Sequence, residues 1–85
     1  MQAAQTKDQI REFVTKIAVR KGVASVADGD SLISAGVLDS MAIFRLVSFL
    51  EETFGVAVDD EEIAAENFRS IDAIQDFVAA KLKSS

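Results

Sequence analysis

The sequence predicts an all-α bundle of four helices, three main ones and one short one, with a long loop between the first two. Three observations support this fold class. The chain has no proline, and 49% of its residues are hydrophobic, which is too apolar for intrinsic disorder. Its apolar residues recur at the spacing of a helix face. Its 85 residues have room for one core, so we expect a single domain over residues 1–85.

The first helix is predicted over about residues 7–20. Its apolar stripe consists of Ile10, Phe13, Val14, Ile17 and Ala18. Thr6 and Gln9 have the spacing of a capping box, and Gly22 follows a basic last turn as a left-handed stop. Residues 1–5 and 83–85 are expected to be frayed tails.

The long connection over residues 22–39 is expected to carry some structure of its own. Its apolar residues would pin it to the bundle: Val23, Val26, Leu32, Ile33, Val37 and Leu38. Asp30 is predicted to cap a single turn over residues 31–35, which Gly36 then ends.

The second helix is predicted from about Ser40 to Phe54. Its core face consists of Ile43, Leu46, Val47, Leu50 and Phe54. Met41 and Phe44 fall outside that stripe, so we expect them to be exposed beside Ser40.

The last two helices follow a short extended connector over residues 55–58. The third, short helix is predicted to start in the run 59–62, with Asp59 as its cap and Glu62 three residues later. The fourth helix follows a Ser70 cap. Its inward face is predicted to be Ile71, Ile74, Phe77, Val78 and Leu82.

The composition argues against several classes of function. Without cysteine the chain has no disulfide, no thiolate nucleophile and no thiolate metal site. Without histidine, a general acid or base would have to be a strongly shifted carboxylate or lysine, so we predict that the protein is not an enzyme. We expect no metal site, because neither residues 28–30 nor residues 59–62 continue into the EF-hand spacing.

The charge is negative and unevenly distributed. The formal net charge of -5 argues against nucleic acid as a partner. Residues 46–68 contain seven acidic side chains and no basic one, which form a patch that would steer basic partners. No apolar run has the length of a membrane span or of a signal-peptide core, so we expect a cytoplasmic protein. We also expect a monomer.

The dipeptide Asp39-Ser40 lies where the loop becomes the second helix. Taken alone, it is most simply a helix cap, as we interpret Asp30-Ser31 ten residues earlier. A hydrolase that used Ser40 would lack a histidine base and a visible oxyanion site.

The surrounding pattern gives this serine a more specific meaning. It consists of Leu32, Gly36-Val37-Leu38-Asp39-Ser40-Met41, Leu46-Val47, Leu50-Glu51, Phe54-Gly55-Val56 and Val58. This pattern resembles the phosphopantetheine attachment region of acyl and peptidyl carrier proteins. The resemblance continues through Asn67-Phe68 and from Ile71 to Val78, and it implies an acyl-carrier-type bundle.

The resemblance implies a carrier protein with a phosphopantetheine arm on Ser40. A phosphopantetheinyl transferase would move the arm from coenzyme A, and ligases would load acyl or aminoacyl groups as thioesters. Asp39 and Met41 would take part in transferase docking, with Asp39 near that enzyme's Mg²⁺. Partner recognition would involve Phe44, Glu51, Glu52, Asp59, Asp60, Glu61 and Glu62.

One departure from the family bears on the pathway. Residues 42–45 supply no carboxylate and one positive charge, whereas carriers of primary fatty acid biosynthesis usually have a more acidic helix here. The chain looks more like freestanding carriers of specialised or secondary metabolism that are paired with a dedicated ligase, including aminoacyl and D-alanyl carriers. The alternative is a non-covalent helical adaptor that binds a basic partner through its acidic face, with Ser40 only a cap.

Overall fold

The computed structural model describes the backbone of residues 2–84 and the side chains of residues 6–83. Its elements are α1 (Gln2–Arg20), α2 (Ser40–Phe54), a 3₁₀ turn (Asp60–Glu62), α3 (Ala65–Phe68) and α4 (Ile71–Ser84). No strand occurs in residues 2–84. The predicted fold class is confirmed: three main helices, one short helix and a long loop between the first two. No helix in the described part of the chain is long and apolar enough to cross a membrane.

The first helix begins earlier than predicted. Residues 2–5 are glutamine and alanine, which favour helix, and α1 starts at Gln2 rather than near residue 7. Thr6 therefore lies inside the helix, 7% exposed, and lines a hollow with Gln75 and Ala79 of α4. The prediction that Thr6 caps the helix is wrong. The tails at 1–5 and 83–85 stay a prediction; helices cover residues 2–5 and 83–84, and Met1 and Ser85 lie outside the described residues.

The core draws on all four helices and on the loop. Its fully buried large side chains are Ile10, Val14, Leu32, Val37, Leu46, Leu50, Phe68, Ile71, Ile74 and Val78. Two residues expected in the core are exposed instead, Ile33 at 40% and Leu82 at 42%. Ile33 lies on the outer side of its turn, and Leu82 borders the open hollow between α1 and α4. Ile43, Phe54 and Phe77 are only partly buried at the edge of the core.

Two glycines close turns, one at the start of the long loop and one within it. Gly22 has a φ of 82°, and its N–H donates to the Val19 carbonyl at 3.1 Å, which ends α1 as predicted. Gly36 has a φ of 79° and ends the turn over residues 32–36 in the same way, with its N–H on the Ile33 carbonyl.

The cap of this inner turn differs from the prediction. The Ser31 hydroxyl accepts the Ser34 N–H at 3.3 Å, so Ser31 is the cap. The Asp30 carboxylate instead accepts the Ala27 N–H at 2.9 Å and closes the preceding turn. The prediction that Asp30 caps the turn is therefore wrong, because the Asp30 side chain folds back toward the N-terminal side.

Asp28 holds the loop against the helices. Its two carboxylate oxygens accept hydrogen bonds from the Arg11 guanidinium, both at 2.9 Å, and Lys7 lies 3.3 Å away. Lys7 also pairs with Asp72 in the first turn of α4 at 2.7 Å. The hydrogen bonds from Arg11 lower the pKa of Asp28 to about 2, with a further contribution from Lys7.

The predicted third helix consists of two pieces, the 3₁₀ turn and α3. The Glu62 carboxylate accepts the Asp59 N–H at 3.0 Å, as the predicted capping box requires. It also pairs with Lys81 of α4, which is the main cause of the lowered pKa of Glu62. The Ser70 hydroxyl accepts the Ala73 N–H at 3.1 Å, which confirms the predicted cap of α4.

Candidate functional site

Ser40 is the first residue of α2, and its side chain is exposed. The preceding residue, Asp39, is extended, and its Oδ1 accepts the Ala42 N–H at 2.8 Å. Asp39 is therefore the N-cap, and the Ser40 hydroxyl is not needed for that role. The Ser40 N–H has no acceptor inside its own helix, because it belongs to the first turn. The site thus combines an exposed hydroxyl with the positive end of a helix.

Buried neighbours on both sides hold this hydroxyl in place. Val37 is 0% and Leu38 4% exposed, and the Leu38 N–H donates to the Leu32 carbonyl at 3.1 Å. On the helix side, Ala42 is 4% exposed. The chain is therefore anchored directly before Asp39 and again two residues after Ser40.

The C-terminal end of α1 meets the N-terminal end of α2 at this site. Lys21, the first residue after α1, donates its Nζ to the Oδ2 of Asp39. This contact is the main cause of the lowered pKa of Asp39, and the bond from the Ala42 N–H adds to it. Both Asp39 oxygens are therefore engaged, one by the cap and one by Lys21.

Two open hollows adjoin the site along the seam between α1 and α2. The nearer one has a volume of about 190 Å³ and is lined by Ile17, Arg20, Lys21, Asp39, Met41, Ala42 and Arg45. The farther one, about 440 Å³, is lined by Phe13, Met41, Phe44, Arg45, Ser48, Phe49 and Glu52. Met41 and Arg45 border both hollows. The rings of Phe13 and Phe49 stack at 4.3 Å between centroids, which closes the seam beneath the farther hollow.

The exposed apolar pair beside Ser40 is confirmed. Met41 is 67% exposed and Phe44 61%, on the outer face of α2. The positive charge of Arg45, one turn after Met41, was noted from the sequence. The contact between Lys21 and Asp39 was missed, because it joins residues 18 positions apart and has no local signal.

The predicted acidic recognition residues divide into two groups. Glu51 and Glu62 have partners within the fold: the Glu51 carboxylate accepts the Val58 N–H at 3.0 Å, and Glu62 holds the start of the 3₁₀ turn and Lys81. The other four acids have exposed side chains, with one on α2 and three in or just before the 3₁₀ turn: Glu52, Asp59, Asp60 and Glu61. A recognition role for any of them stays a prediction.

Comparison with protein families identifies the kind of domain. A family model described as a phosphopantetheine attachment site matches residues 8–78, which is most of the chain. The chain belongs to this family. No curated protein matches the chain. Domains of the phosphopantetheine-attachment family carry the arm covalently and are not catalysts themselves, so this protein is a phosphopantetheine-carrying domain.

The residues around the start of α2 fit such a group. A phosphodiester is stabilised at a helix N-terminus, where backbone N–H groups lack intrahelical acceptors. Arg20 and Arg45 line the adjoining hollow, and their positive charges favour a negative charge nearby. Phosphopantetheine supplies the thiol that this cysteine-free chain lacks.

Proposed function

We propose that Ser40 is the attachment residue and that the chain is a freestanding carrier, which holds acyl or aminoacyl groups as thioesters and delivers them to partner enzymes. The observation that carries this proposal is the exposed Ser40 hydroxyl at the first residue of α2, directly after the cap and within the family match. A tethered cargo reaches partner sites at high effective concentration. The proposed location is the cytoplasm.

Three other serines of the matched region fit the role less well. The hydroxyls of Ser31 and Ser70 accept backbone N–H groups as caps, and Ser70 is only 7% exposed. Ser48 is exposed but lies in the middle of α2, where the backbone N–H groups are bonded within the helix. Ser40 combines exposure with a helix N-terminus.

The proposed attachment step joins the Ser40 hydroxyl to the arm that coenzyme A supplies. The Ser40 Oγ forms a bond to the phosphorus that bears the pantetheine portion of coenzyme A, and the bond to the bridging pyrophosphate oxygen breaks. The adenosine bisphosphate leaves, and the hydroxyl proton passes to a base. Asp39 is a poor base because Lys21 and the Ala42 N–H both lower its pKa. We therefore assign the base to the transferase, and Asp39 is left to cap α2 and contribute to docking.

The proposed partners are the transferase and a dedicated acyl or aminoacyl ligase. Residues 42–45 supply no carboxylate beside Ser40, which supports a specialised pathway rather than primary fatty acid synthesis. Met41 and Phe44 are the proposed docking residues, because burial against a partner would remove their large apolar surfaces from water.

Intact mass after incubation with coenzyme A, Mg²⁺ and a phosphopantetheinyl transferase tests the attachment residue. The wild-type chain should gain the mass of one arm, and Ser40→Ala should gain none. Ser48→Ala is the matched control, since it removes an exposed hydroxyl from the same helix. A mass gain that survives Ser40→Ala would reject the proposal. No gain, together with salt-sensitive binding of a basic protein that Ser40→Ala leaves unchanged, would indicate the adaptor instead.

Charged substitutions test the docking residues. Met41→Glu and Phe44→Glu should each slow modification or loading while circular dichroism shows unchanged helicity. Val19→Glu is the control, because Val19 is 63% exposed on α1 and lies outside both hollows beside Ser40. Full activity in Met41→Glu and Phe44→Glu would remove the docking assignment.

A further inference from the structure

The outer face of α2 carries charges of opposite sign about two turns apart. Arg45 lies on the half of α2 nearer to Ser40 and shares a hollow with Arg20 of α1. Glu52 lies seven residues farther along the helix, which corresponds to about 10 Å along the axis. The exposed side chains of Met41 and Phe44 lie on the same face, and both border the hollow that Arg45 and Glu52 also line.

The two arginines near Ser40 are available to a partner. No ion pair within the described residues involves Arg20 or Arg45, and both side chains are exposed. Lys21 differs, because its charge is offset by Asp39. The serine end of the face is therefore cationic in spite of the net charge of -5.

We propose that the docking surface of the phosphopantetheinyl transferase that modifies Ser40 has charges opposite in sign to those of this face. The entrance to the transferase active site carries carboxylates that pair with Arg20 and Arg45. An apolar socket covers Met41 and Phe44, and a cation lies farther out, opposite Glu52. This inference rests on the proposed attachment at Ser40, since that residue determines which end of α2 meets the active site.

The physical reasons are charge complementarity and exclusion. Guanidinium groups bind carboxylates through paired hydrogen bonds of fixed geometry, so Arg20 and Arg45 favour an acidic rim. A uniformly basic entrance would suit the overall negative charge but would bring like charges together beside Ser40, which disfavours that partner. The opposite charges also orient α2 on the transferase. If α2 docked in the opposite direction, Arg45 would face a cation and Glu52 would face a carboxylate.

A charge swap distinguishes the effect of charge polarity along α2 from the effect of net charge. The probe is the phosphopantetheinyl transferase purified from the protein's own host. The dissociation constant of its complex with the carrier is measured on a Ser40→Ala background, so that no transfer occurs. Arg45→Glu should weaken binding about tenfold. The double variant Arg45→Glu with Glu52→Arg keeps the wild-type net charge and should weaken binding at least as much.

Lys83→Glu is the matched control. It changes the net charge by the same amount as Arg45→Glu but lies in the last turn of α4, so binding should change by less than about twofold. Thermal melts verify that every variant is folded. The proposal is overturned if the charge-swapped variant binds as well as the parent, or if Arg45→Glu binds more tightly.

Failure of the docking inference is distinguishable from failure of the attachment proposal. If the transferase modifies wild-type Ser40 while binding is indifferent to the swap, the polarity is wrong and the attachment residue stands. If binding follows the predicted polarity but the wild-type chain gains no mass, the attachment proposal fails and the docking face stands.

Discussion

Replacing Gly36 by alanine should destabilise the fold through backbone strain alone. Gly36 has a φ of 79°, a conformation that residues with a Cβ rarely adopt. An added Cβ would meet no atom within 4 Å, so no steric clash contributes. The left-handed conformation costs a non-glycine residue about 1–2 kcal/mol. The reduced entropy of the unfolded chain offsets about 0.4–1 kcal/mol of this. We therefore expect Gly36→Ala to lower the free energy of unfolding by about 1 kcal/mol.

Thermal and urea unfolding measure this change. For a domain of this size, 1 kcal/mol corresponds to a fall in Tm of about 4–8 °C. Gly29→Ala is the matched control, since its φ lies outside the left-handed region and its added Cβ also meets nothing. Gly29→Ala should be neutral or stabilising by up to about 1 kcal/mol. Gly36→Asn should fall between Gly36→Ala and wild type, because asparagine tolerates the left-handed conformation better than alanine.

The comparison between the two glycines decides the outcome. If Gly36→Ala melts at the temperature of Gly29→Ala, the left-handed backbone at Gly36 carries no strain for alanine and the reasoning is refuted. Folded Gly36→Ala should still be modified at the wild-type rate, because Val37 and Leu38 remain buried and continue to position the serine.

Three further predictions concern the core, the loop and a helix cap. Leu50→Ala should lower the free energy of unfolding by about 2–5 kcal/mol in urea titrations, because Leu50 is fully buried. Exposed Ser48→Ala should stay within about 0.5 kcal/mol of wild type. The Arg11 guanidinium lowers the pKa of Asp28 to about 2, so the stabilisation from this contact is complete at neutral pH. It is lost as the pH falls from about 4 to about 2. Thermal melts over that range should show a smaller pH dependence for Asp28→Asn. Ser70→Ala should cost about 1 kcal/mol in chemical denaturation, because it removes the cap of α4.

The features that the sequence predicts well are those that depend on neighbouring residues. The bounds of α2, from Ser40 to Phe54, follow from an Asp cap, an apolar stripe and a glycine stop within one stretch of chain. The left-handed turns at Gly22 and Gly36 are predictable for the same reason. The exposure of Met41 follows from its position off the stripe.

The errors occur where distant parts of the chain compete for the same residue. Thr6 has a good capping pattern with Gln9, but helix-favouring residues precede it and α4 packs beside it. Ile33 and Leu82 match their apolar patterns, yet each lies beside open space on the surface of the finished bundle.

The sequence by itself determined the helical class and the position of Ser40 at the start of α2, because short-range spacing encodes both. Its resemblance to carrier proteins over most of the chain indicated the family. Tertiary structure decided which charges surround that serine. Lys21 reaches Asp39 across the loop, and Arg20 lines a hollow with Arg45 from a different helix. These contacts depend on how α1 packs against α2, so the spacing of residues along either helix does not predict them.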